Sequence, residues 1–343
     1  MQSRLQAYYV RAFPAMQDVQ IGELTSISAG WESEMYSLDV EYGPAGARRR
    51  AAQILRIYPG DDAHDKSAHE FHGMKRLYQA GYPVPQVLAL ERENSPFGQP
   101  FVIMEKIDGQ VLWPLLFNSS GKKQQELLTL FCNLFVQLHT LDWRPFVDDA
   151  ASYEAKGPYV FVDQWLDLGR DVVARSPTSG FLPVVEWLEE RRVDVPCPQP
   201  SLVHLDFHPG NVLLRDDGAA FVVDWTQLRV SDPRFDLAWT LLLVGTHEDA
   251  RWRDVILHEY ERLAGITVEQ LAYFDVFACI KRLVSVAISL SDRPERFGMR
   301  PAAVAMMKQQ MGAIRRVYDL LLERTGLRVP EIEAMLASVH GQA

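Results

Sequence analysis

Apolar and polar residues alternate in short runs over the first third of the chain, and this period of two predicts β-strands. Turn residues such as Pro and Gly separate the runs. One stretch, DKSAHEFHGMKRLYQAG, instead has apolar residues at helical spacing and ends at Gly81. The predicted strands are VQIGELTSIS, EMYSLDVEY, RRAAQILRIY, YPVPQVLAL and PFVIMEKI. Together these elements predict a small antiparallel lobe of five strands and one helix over residues 1–107.

After Gly109 the apolar residues take the longer spacing of amphipathic helices. The predicted helices cover residues 122–141, 159–175, 181–192, 251–263, 268–291 and 301–325. No internal repeat or low-complexity tract occurs among them. The pattern therefore predicts a second, larger and mainly helical lobe over residues 108–343, and it assigns the chain to the α+β class.

A cluster of polar residues interrupts the helical lobe in the stretch VHLDFHPGNVLL. The run VLL, the turn RDDG and the run AAFVV then predict a β-hairpin that ends at Asp224. Because an antiparallel pair brings its two ends together, we expect Asp224 to lie close to Asn211, where the hairpin begins. An amide oxygen and a carboxylate at one such point are suitable ligands for a hard cation such as Mg²⁺.

Asp206 precedes Asn211 by five residues, and this spacing matches a template for phosphoryl transfer. The template is a loop H-x-D-x-x-x-x-N followed by a metal-binding Asp, in which the first Asp accepts the proton of the attacking hydroxyl. Taken singly, each of these residues also fits ordinary turn chemistry. The joint spacing favours the catalytic interpretation, with Asp206 as the base and with Asn211 and Asp224 as metal ligands.

The segments LVHLDFHPGNVLL, FVVDWTQ and SDPRFDLAW resemble the aminoglycoside phosphotransferase family, the small-molecule relatives of protein kinases. That family typically shows H-G-D-x-H-x-x-N, then D-W, then D-P-x-x-D-L-A, and here Leu205 replaces the usual Gly. The resemblance implies a protein-kinase-like bilobal fold, ATP or GTP as the phosphoryl donor, and Mg²⁺. It also implies that Asp236 ties down the backbone of the catalytic loop, although Asp236 also fits a plain helix cap. His204 and His208 are interpreted as support for the same loop.

The resemblance extends, more loosely, to the first lobe. SISAGWESEMYSL is similar to a nucleotide loop, although it carries only Gly30, and it places Ser33 near the expected phosphates. Arg56 stands where the family has a phosphate-pairing Lys, and Glu70 is its implied ion-pair partner. Each assignment has a structural alternative: an ordinary hairpin turn for the Gly30 loop, an exposed strand charge for Arg56, and a solvated helix face for Glu70. The implied adenine-binding residues lie in FVIMEKIDG and are Met104, Glu105 and Ile107.

Composition narrows the set of partners. With 35 Lys and Arg against 45 Asp and Glu, the formal net charge is −10, which disfavours nucleic acids and anionic membranes. No apolar run approaches the roughly 18 residues of a membrane span. The N-terminus lacks the apolar core of a secretion signal, and the three cysteines form no C-x-x-C pair. We therefore expect a cytoplasmic protein. The resemblance implies a small-molecule hydroxyl compound as its substrate, and we expect a monomer or homodimer.

The acceptor and two rival functions stay open at this point. Asp163, Asp167 and Asp171 form an acidic stripe on one predicted helix, which fits either an amine-rich substrate or a solvated face. Aminoglycosides and other antibiotics, amino alcohols and sugars are all candidate acceptors. An atypical protein kinase is disfavoured because only eleven residues separate Asp224 from Asp236 and no A-P-E motif follows. A catalytically weak nucleotide-binding pseudokinase is the remaining alternative, based on Arg56 and the single Gly.

Overall fold

The computed structural model describes residues 1–27, 33–175, 178–290 and 310–340. The chain divides into two compact units. The first unit contains Met1–Val111 and Asn211–Thr226, and the second contains Leu112–Gly210 and Gln227–Ala343. By its contacts, the hairpin that carries Asp224 belongs to the first unit. The predicted boundary at residue 107 followed chain order and therefore placed the hairpin in the second lobe. That division stays a prediction about domain organisation.

Both units mix helices with antiparallel strands. In chain order the strands are β1 (Gln20–Ile21), β2 (Thr25–Ile27), β3 (Glu34–Tyr42), β4 (Arg49–Ile57), β5 (Val87–Glu91), β6 (Phe101–Glu105), β7 (Gln110–Val111), β8 (Ser201–Val203), β9 (Val212–Leu214), β10 (Ala220–Val222) and β11 (Arg229–Ser231). The helices are α1 (Gln2–Ala12), α2 (Ala63–Gln79), α3 (Leu112–Asn118), α4 (Gly121–Thr140), α5 (Ala150–Ala155), α6 (Val160–Arg175), α7 (Leu182–Glu190), α8 (Pro233–His247), α9 (Arg251–Ala264), α10 (Leu271–Ser289), α11 (Met311–Thr325) and α12 (Pro330–His340). Residues 301–309 of the last long predicted helix lie outside the described residues.

The main sheet of the first unit has six strands in the order β1-β3-β4-β6-β5, with β2 also paired to β3. All these pairs are antiparallel. The sheet has one strand more than predicted because VQIGELTSIS divides into two short strands. At the break the Gly22 N–H donates to the Asp39 carbonyl at 2.8 Å, and a Cβ at Gly22 would lie only 3.2 Å from that oxygen. The α+β class is confirmed.

Helix α1 covers one part of the sheet in the first unit. Its Leu5, Tyr8 and Tyr9 are buried in a cluster with apolar residues of the sheet, among them Leu55 and Phe101. The Tyr8 and Phe101 rings meet edge to face at 5.0 Å between centroids. This helix was not predicted, although its apolar residues have helical spacing.

The hairpin of β9 and β10 has the predicted form, with Val212 opposite Val222. The Val223 N–H donates to the Asn211 carbonyl at 2.9 Å, which brings the start and the end of the hairpin together. Strand β7 extends the pair to three strands, and the Val222 N–H donates to the Pro83 carbonyl at 2.9 Å. These hydrogen bonds attach the hairpin to the rest of the first unit.

The core of the second unit forms around α4 and α8. Helix α8 is apolar on nearly every side, as in its segment LAWTLLLV, and it is buried accordingly. From α4, the Phe135 ring stacks on Phe207 at 4.2 Å between centroids, with an interplanar angle of 7°. Phe207 directly follows Asp206, so this stack holds the predicted catalytic loop on α4. None of the helices in the described part of the chain is long and apolar enough to cross a membrane.

Replacing Phe135 by Ala is expected to lower the free energy of unfolding by about 3–5 kcal/mol, because both stacked rings are fully buried. Urea denaturation followed by circular dichroism measures this loss. Leu182→Ala is the control, since Leu182 is 44% exposed and its truncation should cost less than about 0.5 kcal/mol. Equal costs for the two variants would show that the stack does not stabilise the second unit.

Candidate active site

The predicted catalytic loop follows β8 and is held by one carboxylate of the second unit. Asp236 is fully buried, and its two oxygens accept hydrogen bonds from the N–H groups of His204 and Leu205, both at 2.6 Å. Asp232, not Asp236, caps α8. His204 is buried beneath the loop, and its Nδ1 accepts from the Asp206 N–H at 3.2 Å. The backbone N–H groups of residues 204–206 are therefore all held, two of them by Asp236 and the third by the His204 side chain.

Leu205 has an unusual backbone conformation in this loop. Its φ of +61° lies in the left-handed region, which costs a residue with a Cβ roughly 1–2 kcal/mol. Hydrogen bonds hold both of its backbone groups: Asp236 accepts from its N–H, and the Lys281 ammonium donates to its carbonyl at 2.6 Å. The usual family Gly adopts this conformation without strain. Where the family usually has Gly, the charged side chains of Asp236 and Lys281 thus hold the backbone of Leu205 in the left-handed conformation.

Asp206 itself accepts a hydrogen bond from the Trp239 indole N–H at 2.7 Å. The His208 Nε2 lies 3.6 Å from the same carboxylate, while its Nδ1 accepts from the Gly210 N–H at 3.0 Å. Burial alone would raise the pKa of Asp206, but the adjacent His208, the charge of Lys281 and the hydrogen bond from Trp239 hold the pKa well below its usual range. Asp206 is therefore ionised at neutral pH and oriented by its partners.

Sequence reasoning missed Lys281, which lies on α10. Besides the Leu205 carbonyl, its Nζ contacts the Gln227 side-chain oxygen at 3.4 Å and lies 4.2 Å from the centre of the Trp239 ring. Burial lowers the pKa of Lys281 to about 8, although Asp206 and Asp236 oppose the shift. The available signal was a basic pair inside the apolar run FDVFACIKRLVSVAIS, which is costly unless partnered.

In the first unit, the Arg56 side chain is hydrogen-bonded to three other predicted site residues. Its guanidinium donates to Glu70 at 2.8 Å, to the Ser33 hydroxyl at 2.9 Å, and through two nitrogens to one Asp224 oxygen at 3.1 Å. Burial raises the pKa of Glu70 despite the opposing effect of Arg56. Burial opposes the charge on Arg56, but Glu70 and Asp224 outweigh it and raise the pKa of Arg56. Tyr58 donates a further hydrogen bond to Glu70.

Asn211 and Asp224 lie at the mouth of the hairpin, as the Val223–Asn211 hydrogen bond requires. Asp224 has a φ of +67°, and its side chain is 43% exposed. Within the described residues no group of three or more His, Cys, Asp or Glu forms a metal cage. A Mg²⁺ ion that is shared with a nucleotide needs only one or two protein carboxylates, because phosphate and water oxygens complete its octahedron. The hard oxygen donors at this mouth fit that type of site.

The remaining predicted residues occupy less distinctive positions. Met104 and Ile107 are buried, and Glu105 pairs with Gln53 across β4 and β6. Gly30 lies outside the described residues. Their assignment to the nucleotide stays a prediction.

The acidic stripe on α6 is already partly engaged. Arg192 binds both oxygens of the Asp163 carboxylate, one of them at 2.6 Å. Asp167 and Asp171 are exposed on the same helix. A role of the stripe in substrate binding stays a prediction.

The positive φ at position 205 predicts that Gly is more stabilising than Ala there, which is the reverse of the usual order. Leu205→Gly should unfold with a free energy about 1 kcal/mol higher than Leu205→Ala, because only Gly adopts a positive φ without strain. Urea denaturation of the two variants measures the difference. The same pair at Leu202, a buried residue of β8 without a positive φ, is the control and should favour Ala. A preference for Ala at both positions would contradict the left-handed conformation of Leu205.

Two curated relatives share low sequence identity with the chain. It is 25% identical over 248 residues to acyl-CoA dehydrogenase family member 11 of Gallus gallus, which is 69% of this chain and 30% of the relative. It is 22% identical over 236 residues to hygromycin-B 4-O-kinase of Escherichia coli, which is 64% of this chain and 61% of the relative. The chain thus matches less than a third of the length of the first relative, so the activity in that name is not carried over.

Solved structures show the same fold. A Ralstonia eutropha protein, assigned provisionally as an aminoglycoside phosphotransferase, superposes with a TM-score of 0.64 at 15% identity, covering 95% of this chain and 98% of that one. Spectinomycin phosphotransferase APH(9)-Ia, in complex with ADP and spectinomycin, gives 0.59 at 11% identity, with coverages of 93% and 98%. A choline/ethanolamine kinase family protein from Mesorhizobium loti gives 0.58 at 17% identity, with coverages of 99% for both chains. The protein-kinase-like fold is confirmed.

The family model described as the phosphotransferase enzyme family, APH, matches residues 23–273. This range contains both predicted halves of the site, from the strand that carries Arg56 to the helix that carries Asp236. It covers well over half of the 343 residues. The resemblance noted in the sequence is therefore confirmed, and the chain belongs to the phosphotransferase enzyme family.

Proposed function

We propose that this protein transfers the γ-phosphate of ATP, or of GTP, to a hydroxyl group of a small molecule. The observation that carries the proposal is the position of Asp206, a carboxylate that contacts Trp239 and His208 on a loop that Asp236 fixes. Such a carboxylate is suited to orient an attacking hydroxyl and to accept its proton. Membership of the phosphotransferase family supports the same chemistry.

The nucleotide that donates the phosphoryl group is proposed to bind to residues of the first unit. Arg56 is held by Glu70, and a guanidinium presents a planar pair of donors that matches phosphate oxygens. In the structure the same guanidinium binds Asp224. We infer that phosphate oxygens take over this contact when the nucleotide binds and leave Asp224, with Asn211, to hold Mg²⁺. The cation, when bound, neutralises charge on the transferring phosphoryl group.

The acceptor class is proposed from the names of relatives. One curated relative is named as a kinase of hygromycin B, and a solved neighbour is bound to spectinomycin. These names support a small-molecule hydroxyl compound, such as an antibiotic, an amino alcohol or a sugar.

The pseudokinase alternative is not favoured because Asp206, Asn211 and Asp224 are all present and because Arg56 has the partner that the family pattern implies.

Asp206→Asn should lower kcat by about 100-fold or more, because the amide neither accepts the proton nor carries the charge. The affinity for Mg·ATP should change by less than about twofold, since Asp206 is proposed to act on the acceptor. Coupled assays of ADP release with hygromycin B, spectinomycin and choline as acceptors measure kcat. Asp216→Asn, at the exposed turn of the hairpin, is the matched control. Full turnover in the Asp206 variant would exclude this residue as the base.

Asp224→Ala should remove the dependence of ATP affinity on Mg²⁺, because the variant loses the carboxylate of the proposed metal site. Titration calorimetry of ATP in the presence of Mg²⁺ and in the presence of EDTA measures this dependence. In the wild type and in the control Asp216→Ala, we expect Mg²⁺ to strengthen binding. If Mg²⁺ strengthens binding to the Asp224 variant by the same factor, the cation binds elsewhere.

A further inference from the structure

Lys281 on α10 makes contacts in three directions, and all three are with protein groups of the second unit. Its Nζ donates to the Leu205 carbonyl at 2.6 Å, lies 3.4 Å from the Gln227 side-chain oxygen, and lies 4.2 Å from the centre of the Trp239 ring. An ammonium group has three protons to donate. A carbonyl, an amide oxygen and the face of an indole ring account for them, which favours a role in holding protein groups over one in binding a substrate.

Two routes connect Lys281 to the proposed base. Leu205, whose carbonyl accepts from Lys281, is directly before Asp206 in the chain. Trp239, whose ring lies against the ammonium, donates its indole N–H to the Asp206 carboxylate at 2.7 Å. Loss of the ammonium would therefore affect both the backbone and the carboxylate of Asp206. A small misplacement of a catalytic group is enough to slow a reaction strongly.

Leu205 is the residue at which such support is needed, because its φ of +61° is strained for any residue with a Cβ. Asp236 accepts from the Leu205 N–H and so holds the peptide before this residue. The peptide after it has two contacts: its carbonyl accepts from Lys281 at 2.6 Å, and its N–H donates to His204 at 3.2 Å. The contact with Lys281 is the shorter and carries a charge, so it is the stronger of the two.

The charge of Lys281 is costly to keep at this place. Burial lowers the pKa of the ammonium to about 8, although the charges of Asp206 and Asp236 favour the protonated form. Replacing a buried charge by an apolar side chain of similar size is often neutral or stabilising for a fold. The contact with the loop thus explains this lysine better than a contribution to overall stability does.

We propose that Lys281 is a positioning residue for Asp206, and that its ammonium compensates for the absence of Gly at position 205. The catalytic consequence of this inference rests on the proposed phosphotransferase function. The ammonium holds the Leu205 carbonyl, so the left-handed turn persists in a residue with a side chain, and this turn fixes the position from which Asp206 acts. Lys281 itself takes no part in the transfer of the proton or of the phosphoryl group.

The test introduces Lys281→Met into three backgrounds: the wild type, Leu205→Ala and Leu205→Gly. Met keeps the length of the side chain but removes the charge and the protons. Ala and Gly both remove the Leu side chain, but only Gly adopts a positive φ without strain. Lys281 should therefore matter when Leu or Ala stands at position 205 and become dispensable when Gly stands there. Lys123→Met, at an exposed position of α4, is the control.

Hydrogen–deuterium exchange of a peptide that spans residues 200–208, followed by mass spectrometry, measures whether the loop is held and requires no activity. With Leu or Ala at position 205, we expect Lys281→Met to speed exchange in this peptide by at least about tenfold, because the backbone N–H groups of the loop lose their fixed partners. With Gly at this position, the increase should be less than about threefold. Lys123→Met should leave the exchange unchanged.

ADP release from Mg·ATP by the full chain, with hygromycin B, spectinomycin, choline or water as the acceptor, measures the catalytic consequence. With Leu or Ala at position 205, Lys281→Met should lower kcat by at least about tenfold and change the KM for ATP by less than about twofold. With Gly at this position, it should lower kcat by less than about threefold. A merely structural role of Lys281 would produce neither this split between kcat and KM nor the rescue by Gly.

The inference is overturned if Lys281→Met leaves the exchange at the wild-type rate, if it speeds exchange equally in all three backgrounds, or if it raises the KM for ATP with kcat unchanged. A Lys281→Met chain that folds only with Gly at position 205 would support the inference, whereas failure to fold in every background would overturn it. If the wild type neither binds ATP nor releases ADP, the phosphotransferase proposal fails, and the exchange measurement still decides whether Lys281 holds the loop.

Discussion

The contact between the Asp236 carboxylate and two consecutive backbone N–H groups is the constraint on which the proposed chemistry depends. Burying an ionised carboxylate is costly unless hydrogen bonds replace its water. Here each oxygen accepts one short hydrogen bond from the loop, and His139 Nε2 lies 3.5 Å from one of them. Hydrogen bonds to a charged acceptor are stronger than neutral ones, so the loop has one strongly favoured backbone path.

The other features of the second unit follow from that path. It places Leu205 in a conformation that its side chain disfavours, and Lys281 holds the carbonyl side of the same residue. Lys281 in turn packs on Trp239, which donates to Asp206. A series of contacts thus connects Lys281 on α10, through Trp239, to the proposed base Asp206. Partly satisfied polar networks are expensive, which is why a change at one member is expected to be felt at the others.

Much of the fold and of the candidate site could be predicted because each rests on local rules. The hairpin at Asn211 and Asp224 follows from turn residues between two apolar runs, and the partnership of Arg56 with Glu70 was implied by family motifs and is seen in the contacts. The functional roles of these residues stay predictions. The basic pair that contains Lys281 marked a costly position in an apolar helix, but its partner, the Leu205 carbonyl, is set by tertiary packing and could not be predicted.

The division of the first strand shows the same limit at the level of secondary structure. Propensity favours one continuous strand in VQIGELTSIS, but its two pieces pair with β3 in registers that differ by one residue, since Thr25 follows Ile21 by four residues whereas their partners Ser37 and Val40 are three residues apart. Tertiary context decided the outcome, as it did for the unpredicted helix α1, whose stability comes from its packing on the sheet.

The most direct test of the central claim is single-turnover phosphoryl transfer from radiolabelled ATP by an Asp236→Asn variant. The amide keeps the size of the carboxylate but removes its charge and one of its two acceptor oxygens. With the acceptor that gives the fastest ADP release, the account predicts a transfer rate constant lowered by about 100-fold or more, with ATP affinity changed by less than about twofold. A folded variant that transfers the phosphoryl group at the wild-type rate would contradict it.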